Sequence, residues 1–377
     1  MKKTMNLSQE QIDFCMECGV CTGSCPVSRM MPSFSPRQMI KRTLMDQDDR
    51  VVQGRELWSC LTCGRCSARC PAQIDFPGFV RAHREKAWKQ GILPQFSHHG
   101  TLQAIAALQT REVRQRRTDW AREAGQTRKS GEYFYFVGCA PYFEAVIKPG
   151  TGALEVAKSI IGLLNRLGIE PVISDQERCC GHDALWSGDE ATFRKLAEIN
   201  LEIIRSAGAK TVLFSCPEGY TVFKDHMPRY FGELPFEVLH LTEFFSSKFP
   251  EAGLTFKASG GRENGILTYQ DPCRLGRGSG IYEAPRELLR LIEGIQLVEM
   301  ERNRENALCC GTSAWMECSN CSKALQNERL QEAREAGAQT IITACPKCRI
   351  HFVCAQENTD HCLTIADLYS FLWKCIA

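Results

Sequence analysis

The chain has 377 residues and a formal net charge of +2, long enough for two or three domains with cores of their own. Balanced charge gives no reason to expect a nucleic-acid partner. No apolar run approaches the roughly 18–20 residues of a membrane-spanning helix, and MKKTMNLSQEQIDF lacks the apolar core and cleavage site of an export signal. A cytoplasmic protein is expected. The distinctive feature is 22 cysteines, grouped in C-x-x-C clusters, a distribution that favours metal over disulfides.

Taken in chain order, Cys15, Cys18, Cys21 and Cys25-Pro26 recur at the same spacing as Cys60, Cys63, Cys66 and Cys70-Pro71. This doubled run is the pattern of bacterial two-cluster ferredoxins. Three thiolates of each tight loop hold one cubane [4Fe–4S] cluster, and the fourth crosses to the other. The crossing assigns one cluster to Cys15, Cys18, Cys21 and Cys70, and the second to Cys60, Cys63, Cys66 and Cys25. Sharing brings the clusters close, which suits electron hopping. Gly19 and Gly64 lie inside the loops, where a side chain would crowd a cluster and where positive φ is available. Between the runs, one helix is expected to start at Ser35-Pro36 and a second to lead into Cys60. A basic amphipathic helix after Cys70 ends at Gly91. Residues 1–92 thus read as an all-helical ferredoxin domain.

Residues 93–131 read as a basic helical linker, with a helix from Thr101 to about Ala124. Arg111, Arg114, Arg116, Arg117, Arg122, Arg128 and Lys129 make it either a docking surface for an acidic partner or anionic headgroups, or a solvated helix face.

The remainder contains an internal repeat, 132–250 against 264–377. GAKTVLFSCPEGYTVFK matches GAQTIITACPKCRIHFV, RCCGHDALWSGD matches LCCGTSAWMECS, and YFYFVGCAPY matches GILTYQDPCRL. Paired cysteines lie 134, 130 and 129 residues apart. Strands are expected at 133–138, 211–215, 266–270 and 340–344, and helices at 152–167, 190–207, 284–293 and 320–336. Each copy is therefore an α/β module with a parallel sheet that delivers cysteines at strand ends and helix N-termini, facing the cleft between the halves. The second copy carries Cys273, Cys309, Cys310, Cys345 and Cys348. Adjacent cysteines do not easily reach one tetrahedral ion, but they can grip different irons, so the set points beyond a single zinc. The first copy has Cys139, Cys179, Cys180 and Cys216, with Gly219 at the fifth position. Four thiolates suffice for a cubane, a smaller cluster or zinc; the alternative is a relic site.

Other residues carry weaker signals. Cys318 and Cys321 are either redox-active thiols beside the cluster or small apolar fillers. Cys354, Cys362 and Cys375 have no partner spacing. His182 is either a substitute ligand for the missing thiolate or a structural histidine. His351 is placed to donate a proton to a thiolate product. IADLYSFLW reads as a closing helix.

CMECGVCTGSCP with LWSCLTCGRCSARCP resembles the ferredoxin subunit of heterodisulfide reductase, and the duplicated C…CCG…CPxC (CCG) module resembles its catalytic subunit. A chain fusing the two is similar to the D-type subunit of the membrane-linked heterodisulfide reductases. It is also similar to cytoplasmic iron–sulfur subunits of transmembrane redox complexes in sulfate reducers, and to those of glycolate oxidase and anaerobic glycerol-3-phosphate dehydrogenase. The resemblance implies a noncubane [4Fe–4S] cluster on Cys273, Cys309, Cys310, Cys345 and Cys348, which acts on a small-molecule or protein disulfide. Its electrons would come through the two cubanes from a flavin- or hydrogenase-type donor or a membrane cytochrome or quinone-binding subunit. Such a partner would hold the chain peripherally at the inner face of the cytoplasmic membrane. The alternative role is a relay between a flavin dehydrogenase of the glycolate, lactate or glycerol-3-phosphate type and the quinone pool. Gly219 departs from the symmetric two-cluster pattern and favours a single active cluster.

Overall fold

The computed structural model describes residues 12–147, 151–258, 265–357 and 363–377. Short helices make up the N-terminal segment, running through Val20–Ser24, Pro26–Met30, Pro36–Leu44, Asp48–Val52, Glu56–Ser59, Arg65–Ala68 and Phe76–Lys89. Gly19 (φ 81°) and Gly64 (φ 73°) open the cysteine helices in the left-handed region; the protein atoms nearest to where a Cβ would be lie 3.9 and 4.0 Å away. Backbone conformation, rather than crowding by protein atoms, accounts for glycine there. Ser35 caps its helix by accepting the Gln38 N–H at 3.3 Å. The helix expected to lead into Cys60 is broken into two short ones around Gly54. The last helix, capped by Asp75, buries Phe76, Phe79, Val80, His83, Arg84 and Ala87.

The linker departs from expectation. Its helix is Thr101–Leu108, and a 3-10 turn at Asp119–Glu123 follows a non-helical stretch. The cause is tertiary. Arg117 is buried and pairs with buried Glu177 at 2.8 Å, and it also donates to the carbonyls of Glu177 (2.7 Å) and Gly138. The Thr118 N–H and hydroxyl bond Asp175 at 2.9 and 2.8 Å. These polar groups are spent on the first module instead of a solvated helix face. Arg128 pairs with Glu170 and Arg122 with Asp119, while Arg111, Arg114 and Arg116 stay exposed. Arg117→Met strands the buried carboxylate of Glu177, so it is expected to cost about 3–5 kcal/mol. Arg111→Met is expected to cost under about 0.5 kcal/mol. Thermal unfolding of the two variants checks the pair.

Among the described residues, nine strands form three sheets: β1 (Tyr133–Phe136), β2 (Thr211–Phe214), β3 (Glu237–His240), β4 (Phe256–Lys257), β5 (Ile266–Tyr269), β6 (Ile292–Glu293), β7 (Gln296–Val298), β8 (Thr340–Thr343) and β9 (Thr364–Asp367). The first sheet runs β1-β2-β3, the second is the pair β4-β6, and the third runs β7-β5-β8-β9, all parallel. Val172 bridges Phe134 on the free edge of β1, a one-residue counterpart of β7, so both modules share one strand order. β2 and β8 are buried at every position, as strands covered on both faces must be.

The expected helices appear as Ala153–Arg166, Glu190–Ser206, Ala284–Arg290 and Asn320–Glu335, with Ile292 and Glu293 forming β6 instead of extending the third. In the C-terminal segment IADLYSFLW, β9 precedes the closing helix Leu368–Cys375. The modules are related by an approximate twofold. Ala153–Arg166 of the first packs on Leu368–Cys375 of the second, and Leu241–Glu251 of the first packs on Ala284–Arg290 of the second. No described helix is long and apolar enough to cross a membrane.

Candidate functional site

The ferredoxin cysteines gather around two cavities. One, of about 440 Å³, is lined by Cys15, Cys18, Cys21 and Cys70, with Cys66 also at its wall. The other, of about 320 Å³, is lined by Cys25, Cys60, Cys63 and Cys66. Each fourth cysteine thus sits with the loop of the other run. Burial pushes the Cys60 thiol up to about 12, against the nearby Arg84 guanidinium, and burial and Cys63 push Cys25 up to about 11. Thiols gathered four at a time, which must deprotonate to bind, fit thiolate-ligated metal.

Arg84 anchors the second set. It is fully buried and donates to the carbonyls of Leu57, Trp58 and Cys60 and, across to the first module, to Trp186 at 3.0 Å. Its position on the buried stripe, four after Val80 and three before Ala87, was the available sequence signal.

The five cysteines of the second module arrive from three places. Cys273 follows β5. Cys345 follows β8 as the N-cap of Pro346–Ala355, and Cys348 sits in that helix's first turn. Cys309 and Cys310 lie on the loop before Gly311. Cys309, Cys310, Cys345 and Cys348 are buried in one cluster with Cys273 packed against it, and neighbours in the order Cys273–Cys309–Cys310–Cys348–Cys345 shift one another's acidity. The loop is tied to the strand end by Gln270, which donates to the Leu308 carbonyl at 3.0 Å and accepts from Arg329 at 2.6 Å. Beside it, Arg286 grips Asp271 (2.7 and 2.9 Å) and Glu299 (2.6 and 2.9 Å).

One ferredoxin thiol reaches this set: Cys63 packs against the cluster that holds Cys309. The Cys309 thiol beside it brings Cys63 down to about 5 against burial, helped by Arg277, the Arg65 N–H and Arg274. Cys273 is lowered by the same partner and the same two arginines. Arg277 donates to the carbonyls of Cys63 (2.8 Å) and Ala307 (2.7 Å). Arg274 donates to the Thr62 carbonyl (3.0 Å) and hydroxyl (2.7 Å). The ferredoxin segment and the second module are therefore tied together beside their cysteines.

Burial pushes His351 down to about 4. Its ring lies 5.0 Å from Trp315. Among the described residues no hydrogen bond joins Cys318 or Cys321 to the five-cysteine set. Cys354 is exposed with Lys323 at 3.0 Å, Cys375 is buried, and Cys362 lies outside the described residues.

In the first module, Cys139, Cys179, Cys180 and Cys216 line a cavity of about 800 Å³ with Gly219, His182 and Lys347. The Cys139 and Cys179 sulfurs are 3.7 Å apart. A Cβ on Gly219 would lie 3.1 Å from the Phe214 ring. Phe214 stacks with Phe136 at 5.1 Å and packs on Phe223 at 4.9 Å. The repeat places polar Thr343 and Gln270 where the first copy has Phe214 and Phe136. The first site has thus lost its fifth thiol and gained two aromatic rings beside that position. His182 Nδ1 contacts Asp183 (2.9 Å) and Glu218 (3.4 Å), and its Nε2 has no partner. Lys347 bonds both carboxylates, Glu218 at 2.6 Å, so an ammonium already serves the pair. Glu218 and Lys347 are equivalent positions of the repeat, meeting across the twofold with opposite charges.

Known proteins share this arrangement. The 4Fe-4S dicluster domain family matches residues 11–74, and the cysteine-rich domain family matches twice, at 133–224 and 267–353. The chain is 29% identical to the D-type subunit of the dihydromethanophenazine:CoB–CoM heterodisulfide reductase of Methanosarcina barkeri, over 69% of this chain and 63% of that protein, just under two thirds of its length. It is 27% identical to the corresponding protein of Methanosarcina mazei, over 99% of this chain and 97% of that one. The EtfAB:quinone oxidoreductase of Syntrophomonas wolfei is 30% identical over 66% of this chain and 35% of its own length. The chain thus joins a 4Fe-4S dicluster domain to two cysteine-rich domains, and nearly end to end it is similar to heterodisulfide reductase D-type subunits.

Proposed function

We propose that the chain is the electron-transferring and catalytic subunit of a larger redox assembly, and that a disulfide-type substrate reacts at the C-terminal five-cysteine set. Two electrons and two protons convert R–S–S–R′ into two thiols, and the same centre can run the reverse. In this reading Cys15, Cys18, Cys21 and Cys70 hold one cubane [4Fe–4S] cluster, Cys25, Cys60, Cys63 and Cys66 a second, and Cys273, Cys309, Cys310, Cys345 and Cys348 a noncubane [4Fe–4S] cluster. Such clusters supply one-electron steps at potentials set by charge, hydrogen bonding and exposure.

The observation that carries the reading is the packing of Cys63 against the cluster that holds Cys309, Cys310, Cys345 and Cys348, which leaves no protein layer between the two sets. Arg274 and Arg277 brace that junction and keep positive charge beside its thiolates. Cys18 is exposed, so the first ferredoxin set is the entry side. The partner there is a flavin- or hydrogenase-type donor or a membrane cytochrome or quinone-binding subunit, which would place the chain peripherally at the inner membrane face. EPR of the oxidised, anaerobically purified protein is expected to show a signal that changes when a small thiol is added. A signal indifferent to thiols and disulfides would overturn the disulfide reading.

A second reading, a relay between a flavin dehydrogenase and quinone, is favoured by the likeness to EtfAB:quinone oxidoreductase. It predicts that thiol-indifferent signal together with quinone-linked turnover.

A further inference from the structure

A cleft of about 1340 Å³ opens between the ferredoxin segment and the two modules, with Cys63 and Cys273 on its wall. Five cations line it: Arg81, Lys224, Arg229, Arg274 and Arg277, with Asp75 and Asp225 as the acidic groups among them. None of the five forms an ion pair among the described residues. Arg81 donates to the Tyr230 hydroxyl at 2.8 Å, Arg274 to Thr62, and Arg277 to main-chain carbonyls. By contrast, Arg117 and Arg286 each hold a carboxylate. The Arg274 guanidinium carbon sits over the Trp186 ring, 4.0 Å from its centroid, a cation–π contact that holds it in place. Three buried nitrogens of residues lining the cleft, Trp186 Nε1, His226 Nδ1 and Arg277 Nη2, have no hydrogen-bond partner. Guanidinium groups without a carboxylate partner that converge on one concave space are a receptor for an oxyanion.

We infer that this cleft binds a small molecule carrying two or more phosphate or carboxylate groups. Lys224 and Arg229, both exposed, receive one end at the mouth. Arg274 and Arg277 hold the other beside Cys63 and Cys273. The site stands whichever of the two functional readings holds, because it rests on the cations and not on the thiols.

The test is calorimetric titration of the anaerobic, iron-loaded chain with pyrophosphate and, separately, with citrate. At least one is expected to bind saturably, one per chain. Lys224→Gln/Arg229→Gln is expected to weaken it about tenfold or more and to flatten the dependence on salt, while Arg205→Gln, a control on the surface of the first module, leaves it unchanged. Binding is also expected to alter the EPR signal of the iron–sulfur centres, since the anion lies beside Cys63. Absence of saturable binding by both probes, or equal binding by the double variant, overturns the inference.

Discussion

Replacing Cys309 and Cys310 together by serine is expected to abolish disulfide turnover and to lower the iron of the anaerobically purified chain by about four atoms, from about twelve to about eight. The two residues are the middle of the chain of thiol contacts, with Cys273 on one side and Cys348 and Cys345 on the other. Hydroxyls are poor ligands for the soft centres that thiolates select, so three dispersed cysteines remain. Cys309 also carries the contact to Cys63, so the variant removes the junction along with the centre. The ferredoxin cavities lose no cysteine, and their eight or so iron atoms should stay. Cys179→Ser/Cys180→Ser is expected to leave disulfide turnover within about twofold. Its site lacks the fifth thiol and has Phe214 packed against that position. Iron assay and turnover, measured on both double variants, separate a single active centre from a matched pair; turnover retained by the first variant would sink the assignment.

What was legible in the sequence is what is local in the chain. A cysteine loop brings its own ligands within twelve residues, so its spacing announces it. The three repeated blocks each contain a strand end and a cysteine, so short identical strings reveal them. The repeat extends further in space than in letters. His240 and Asp367 occupy equivalent strand ends and each caps the next helix, His240 accepting from Thr242 (3.4 Å) and Asp367 from Tyr369 (2.8 Å), yet the residue types differ. Long-range partners left no local trace. Arg117 belongs to Glu177, and the helix expected from Thr101 to about Ala124 ended at Leu108 because of it. Arg84, Arg274 and Arg277 tie one segment to another through main-chain carbonyls, partners that no sequence spacing names. Phe214 beside Gly219 explains why the fifth position of the first module differs, and only the fold puts those two residues together.

Gly188→Ala is expected to disrupt the seat of the ferredoxin segment on the first module. Gly188 ends the helix His182–Ser187 at φ 93°, where any side chain costs roughly 1–2 kcal/mol. The larger penalty is steric. A Cβ there would lie 2.4 Å from the Arg84 carbonyl oxygen, 2.6 Å from its carbon and 2.8 Å from the Glu85 nitrogen. All three are main-chain atoms of a packed helix, so no rotamer change relieves the overlap and the helix Phe76–Lys89 must move. Moving it pulls Arg84 from the carbonyls of Cys60 and Trp186, which loosens the second cysteine set against its neighbours. The sum is about 3 kcal/mol or more, a fall in Tm of roughly 6–12 °C in domains of 150–250 residues. Turnover driven from the ferredoxin end should fall at least tenfold, while all eight ferredoxin cysteines remain in the chain. Gly168→Ala is the matched control: its φ is 72°, but nothing lies within 4 Å of the added methyl, so it carries the conformational cost alone. Calorimetry and turnover on the two variants therefore distinguish close approach from backbone strain. Equal effects in both would mean that the junction between ferredoxin segment and module does not depend on the contact at Gly188.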